Sequence, residues 1–80
     1  MTMSIKVRYF ASLKETVGRS EDDVTLAGLV ATVNDVWSYA NAGKPLPDHV
    51  LAAVNMEYVQ RDSAVEDGDV VAFFPPVTGG

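Results

Sequence analysis

Val70 to Phe74 reads VVAFF and runs directly into Pro75 and Pro76. Successive side chains of a strand point to opposite sides of its sheet, so an unbroken apolar run describes a strand with apolar surface on both faces. The prolines lack the N–H a ladder needs and end the strand at Phe74. Whatever this chain folds into must place VVAFF centrally and find cover for it. With 80 residues there is one domain to do so. A domain that small buries only about 60% of the surface its unfolded chain exposes, so nearly every apolar side chain is needed.

The remaining segments limit the cover available. SIKVRYF, Ser4 to Phe10, alternates as a half-buried strand does, with Ile5, Val7 and Tyr9 on one face and Lys6, Arg8 and Phe10 on the other. Ser12 to Val17 can form about one helical turn with Ser12 as N-cap, ended by Gly18. RSEDDV is acidic and weak as a strand. Leu26, Leu29, Val30, Val33, Val36, Trp37 and Ala40 recur at helical spacing. They predict a helix from about Thr25 to Ala40, with Thr25 as N-cap and Glu21, Asp22 and Asp23 upstream at its positive end. ANAGKPLPDH is a loop. Val50 to Val54 is a short strand, Asn55 to Glu57 a turn, and Tyr58 to Gln60 a return strand. Arg61 to Asp69 is a polar connection that closes on the turn EDGD, where Gly68 is free to take positive φ.

One amphipathic helix covers one face of a sheet. VVAFF has apolar side chains on both, and no second long helical stripe exists. Phe74 and Phe10 are therefore left over, with Tyr58 beside them, and an exposed apolar patch on a small domain marks an interface.

Several chemistries are excluded or unsupported. There is no cysteine, which removes disulfides, thiolate metal sites and a Cys nucleophile. The single histidine, His49, sits in the loop after Pro47-Asp48. No nucleophile elbow, calcium loop or glycine-rich phosphate loop is present. Asp22-Asp23 and Glu66-Asp67-Asp69 read as a helix-start charge and a turn, and Trp37 reads as core. With 11 acidic against 6 basic residues the net charge is −5, the wrong sign for a phosphate-backbone binder. No signal-peptide shape and no membrane-length apolar run are visible, so the expected location is the cytoplasm.

That leaves the end of the chain. Pro75-Pro76 favour a stiff extended backbone that carries Val77 and Thr78 outward. Gly79 and Gly80 have no side chains, so only backbone width limits the channel they can enter. The α-carboxylate of Gly80 then stands at the tip of a thin arm, where a partner could bind it or an adenylating enzyme could activate it.

The strand order with a diglycine end resembles ubiquitin-like proteins and their prokaryotic sulfur-carrier relatives. IKVRYFASLKETVG at 5–18, LAAVN at 51–55 and DGDVVAFFPPVTGG at 67–80 resemble the small subunits of molybdopterin synthases. The resemblance implies an α+β, ubiquitin-like β-grasp fold with a mixed sheet and one main helix on one face. Residues 1–74 would form the domain, and 75–80 the extended tail ending in Gly-Gly. It implies that the Gly80 carboxylate is adenylated by an E1-like enzyme using ATP and is converted by a sulfur donor to a thiocarboxylate. That group would donate sulfur to cyclic pyranopterin monophosphate, making the molybdopterin dithiolene. The tail, Pro75, Pro76, Val77, Thr78, Gly79 and Gly80, would insert into a large subunit, within a heterotetramer. Phe10, Tyr58 and Phe74 would face that partner. The large subunit would supply the catalytic groups; no metal or tightly bound cofactor, nucleic acid or membrane is expected. Three other readings remain open: a sulfur carrier for thiamine or cysteine synthesis, a ubiquitin-like modifier of lysines, and a plain interaction module.

Overall fold

A computed structural model describes residues 1–28 and 30–76. In chain order the elements are β1 (Thr2–Tyr9), α1 (Ser12–Val17), β2 (Glu21–Ala27), β3 (Ala31–Thr32), α2 (Val33–Ala40), β4 (Leu51–Val54), β5 (Glu57–Val59), β6 (Ala64–Val65) and β7 (Val70–Phe74). The main sheet has the order β2-β1-β7-β4-β5, and β3 and β6 form a separate two-stranded ribbon. β1 and β7 lie side by side and parallel, while β1–β2, β4–β7 and β4–β5 are antiparallel. VVAFF is thus the middle strand of five, and it stops at Phe74, immediately before Pro75.

The register sorts side chains between two faces. Val7 pairs with Val71 and Tyr9 with Phe73, and on the far side Phe73 pairs with Ala52. These residues lie under α2, which buries Val33, Val36 and Trp37. Trp37 meets Phe73 edge-on at a centroid distance of 5.0 Å and Tyr9 at 5.9 Å, so three aromatics form the centre of the core.

The helical segment corrects the sequence reading. α2 begins at Val33 rather than near Thr25, and its N-cap is Thr32. The Thr32 hydroxyl accepts from the Asp35 N–H at 3.2 Å, and the Asp35 carboxylate accepts from the Thr32 N–H at 2.9 Å, a reciprocal capping box. Thr25, the expected cap, lies within β2, as does Leu26. Glu21, Asp22 and Asp23 are strand residues rather than a helix-start charge. Gly28 turns the chain with φ 91°, a conformation no helix interior holds, and Val30 is exposed. The part of that reading that falls on Leu29 lies outside the described residues.

RSEDDV also forms more strand than its composition suggests. β2 runs for seven residues because its acids need no burial. Glu21 and Asp23 stand opposite Arg8 and Lys6. Asp22 points toward the core rim, where its carboxylate accepts from the Tyr9 hydroxyl at 3.0 Å and from Arg19 Nε at 2.8 Å. Burial pushes the Tyr9 pKa above its usual 10; Arg19 and Asn41 beside the hydroxyl oppose the shift, and Asp22 adds to it. α1 is capped by Ala11 without a side-chain hydrogen bond, not by Ser12, and closes on Gly18 in the left-handed region as expected. The polar connection 61–69 contains β6, whose Val65 is buried.

Candidate functional site

The face of the sheet opposite α2 carries the odd members of β4 and the even members of β7. Leu51 pairs with Phe74 and Ala53 with Ala72 on one side, and Arg8 pairs with Ala72 on the other. Tyr58 of β5 stands opposite Ala53. No described element lies over this face. Its β1–β2 half is charged, with Lys6 opposite Asp23 and Arg8 opposite Glu21. Its β7–β4–β5 half is apolar. The conflict posed by VVAFF is resolved by leaving one side of it open: Val71 and Phe73 are buried, and Val70, Ala72 and Phe74 are only partly so.

The three aromatic residues expected on this face are all on it. Phe10 is 42% exposed and Tyr58 75% exposed, and Phe74 is half-buried. Tyr58 and Phe74 pack edge-to-face with centroids 5.5 Å apart. Phe10 continues the β1 pairing, its N–H donating to the Phe73 carbonyl at 3.0 Å, and the Arg8 guanidinium lies 5.8 Å from its ring centroid. Together with Asn55, Met56, Val70 and Ala72 these residues line a concavity of about 650 Å³.

Several residues of this face carry no signal of their own in the sequence. Met56 is 96% exposed at the tip of the β4–β5 hairpin. Asn55 and Met56 both take positive φ, 51° and 73°, the geometry of a two-residue hairpin turn whose second position favours glycine. Asn55 is held there by its own side chain, which donates to Asp69 at 3.0 Å and accepts from the Val70 N–H at 3.0 Å. Leu51, 40% exposed, joins the face beside Phe74. Ala72 lies between Arg8 on β1 and Ala53 on β4. An alternation count along VLAAV would have found Leu51, since its register with Phe74 follows once β4 and β7 are antiparallel.

The candidate tail begins where the open face ends. Pro75 is half-buried and Pro76 exposed. Val77, Thr78, Gly79 and Gly80 lie outside the described residues. Elsewhere the chemistry-bearing side chains serve structure. Asp67 accepts from the Ser4 N–H at 2.6 Å and Asp69 from the Glu66 N–H at 2.8 Å, which ties the EDGD turn to β1 and to itself. His49 is exposed in its loop. Among the described residues no group of three metal-ligating side chains converges. What the geometry offers is a concave apolar surface at the base of the tail.

A five-stranded mixed sheet, one long helix on a single face and an open apolar face beside the exit strand define a ubiquitin-like β-grasp domain. The chain belongs to the ThiS family, which matches residues 7–80. The molybdopterin synthase sulfur carrier subunit of Escherichia coli strain K12 is 44% identical over 85 residues, an alignment covering 95% of this chain and 99% of that protein. Among solved structures, a putative molybdopterin converting factor subunit 1 from Pyrococcus furiosus superposes with a TM-score of 0.77 at 31% identity, covering 94% of this chain and 99% of that one. SAMP1 from Haloferax volcanii superposes with a TM-score of 0.75 at 31% identity, covering 96% and 99%. No helix among the described residues is long and apolar enough to cross a membrane.

Proposed function

We propose that this chain is the sulfur carrier subunit of a molybdopterin synthase. The observation that carries the reading is nearly full-length similarity, 44% identity, to a protein of that name in Escherichia coli. The apolar face at the root of the tail supports it physically, because a carrier must be held by its partner while the tail reaches inward.

In this reading Gly80 is the functional end of the chain. Its carboxylate attacks ATP on an E1-like enzyme, forming an acyl-adenylate and releasing pyrophosphate. The terminal sulfur of a donor persulfide displaces AMP to form an acyl disulfide, and a second thiol attacks the donor sulfur, forming a disulfide there and releasing the thiocarboxylate. Phe10, Tyr58 and Phe74 then dock the chain on the large synthase subunit, and Pro75 to Gly80 carry the sulfur into its active site. Cyclic pyranopterin monophosphate accepts the sulfur, water restores the Gly80 carboxylate, and two carriers are used for each dithiolene. The large subunit supplies the catalytic groups, in a heterotetramer. The glycines leave room around the reacting carbonyl, where placement to within about 1 Å governs rate. The reaction belongs to the cytoplasm, where ATP is available.

The test is intact mass. The chain is incubated with the activating enzyme, ATP and a sulfur source, and the product should gain the mass of one sulfur replacing one oxygen. Molybdopterin formation should follow on adding the large subunit and the pterin substrate.

The likeness to SAMP1, a small archaeal modifier protein, favours a second reading. There the Gly80 acyl group is transferred to a lysine amine instead of to sulfur. Isopeptide-linked conjugates, captured through a tagged chain and identified by lysines that carry the tryptic segment 62–80 of this chain, which has no Lys or Arg after Arg61, would select it.

A further inference from the structure

The open face is not uniformly apolar, and its shape is specific. Ala72 is the smallest side chain in the concavity and stands at its floor, flanked by Val70 and Phe74 on its own strand. Arg8 and Phe10 form the wall on the β1 side, and Tyr58 and Met56 the wall on the β5 side. A larger residue at Ala72 would level the floor. Arg8 is the one charged residue of the lining. Glu21 faces it across β1–β2, yet the ion pairs among the described residues are made by Arg19 and Arg61, not by Arg8. Its guanidinium rests beside the Phe10 ring instead.

A cation at the rim of an apolar pocket is cheap while it is solvated and costly once covered. A partner that closes over this face must therefore answer Arg8. The guanidinium presents a planar fork of N–H donors, which a carboxylate matches with two parallel hydrogen bonds. The floor at Ala72 has room for an apolar side chain, and the thioether of Met56 can adapt to its shape.

We infer that the groove over Ala72 receives one apolar side chain of the docked partner, and that a carboxylate of the same partner segment pairs with Arg8. The inference rests on the reading that this face docks the large synthase subunit and specifies the chemistry of the segment it takes. The net charge of −5 makes the pairing selective: an acidic segment is repelled by most of this chain and accepted beside Arg8.

The experiment is calorimetric titration of the full chain into the purified large subunit of molybdopterin synthase from the same organism, at low and at physiological salt. Ala72→Leu should weaken binding at least about tenfold by filling the groove. Arg8→Gln, which keeps a polar amide on a shorter side chain without the charge, should weaken it about tenfold and flatten its salt dependence. Arg8→Glu should weaken it further. Arg8 is exposed, so both Arg8 variants should fold, and circular dichroism checks each. Phe74→Ala is the control for docking itself. If Phe74→Ala weakens binding while the Arg8 variants bind as the parent with unchanged salt dependence, the carboxylate pairing is wrong and the docking reading stands. A folded Ala72→Leu variant that binds as the parent overturns the groove. If Phe74→Ala also binds as the parent, the docking reading itself fails.

Discussion

Phe73 and Phe74 are neighbours in sequence on opposite faces of one strand, and the account requires their alanine variants to fail in different ways. Phe73 is fully buried between Trp37 and Tyr9, with ring centroids 5.0 and 6.2 Å away. Truncating such a residue costs about 3–5 kcal/mol through lost burial and the cavity left behind. A domain holds about 5–15 kcal/mol in total. For a chain of this size each kcal/mol moves Tm by about 4–8 °C, so Phe73→Ala should lower Tm by roughly 12–40 °C and leave little folded protein at 37 °C. Phe74 loses only part of its surface to the fold and one edge-to-face contact with Tyr58. That contact is worth about 0.5–1.5 kcal/mol, and with the partial burial the total should stay near 2 kcal/mol. Binding should reverse the order. Phe74 is a central aromatic on the open face, and its truncation should cost at least about 2 kcal/mol of affinity, close to thirtyfold in Kd. Urea melts and calorimetric titration against the large synthase subunit measure both quantities. Equal destabilisation by the two variants would place Phe74 in the core and refute the division of faces.

Met56→Gly should raise Tm by a few degrees, because glycine takes φ 73° without a Cβ penalty, while weakening binding to the large subunit through the lost groove wall. Thr32→Ala should cost about 1 kcal/mol in a urea melt by removing the cap of α2. Tyr9 holds its proton more tightly folded than unfolded, so its contribution is fully present below the ordinary tyrosine pKa and is lost as pH rises through the raised folded value. Stability profiles of the parent and Tyr9→Phe should therefore differ in slope only above about pH 10.

The parts of the fold that could be read in sequence were those where a single periodicity ran undisturbed. β1 alternates from Met3 to Tyr9, and β7 is apolar throughout and cut by proline, so the central placement of β7 and the positions of Phe10 and Phe74 on the face away from the helix followed. The failure lay between Glu21 and Thr32. Val24 and Leu26 alternate as strand residues, but Leu26 also stands at helical spacing from Val30 and Val33, and the longer pattern masks the shorter one. The acids argued against a strand on propensity, a weak argument at a sheet edge where Glu21 and Asp23 face solvent. Two local signals held the answer. Gly28 interrupts the stripe at a position that needs positive φ, and Thr32 with Asp35 three residues on spells a capping box. The groove floor at Ala72 depends on the register of three strands, which no local pattern specifies. The family was legible in the motif FFPPVTGG because a motif rests on residue identity and order rather than on packing.

The central proposal is that the Gly80 carboxylate accepts sulfur. Its most direct test is the intact mass of the parent and of a variant extended by one alanine after Gly80, each incubated with the E1-like enzyme, ATP and a sulfur source. Both should fold alike and bind the large subunit alike, since the open face supplies the buried apolar area. The parent should convert to the species with one sulfur in place of one oxygen. The extended chain should remain unmodified, because its carboxylate lies past the reacting centre. An extended chain that accepts sulfur as fast as the parent would contradict the account.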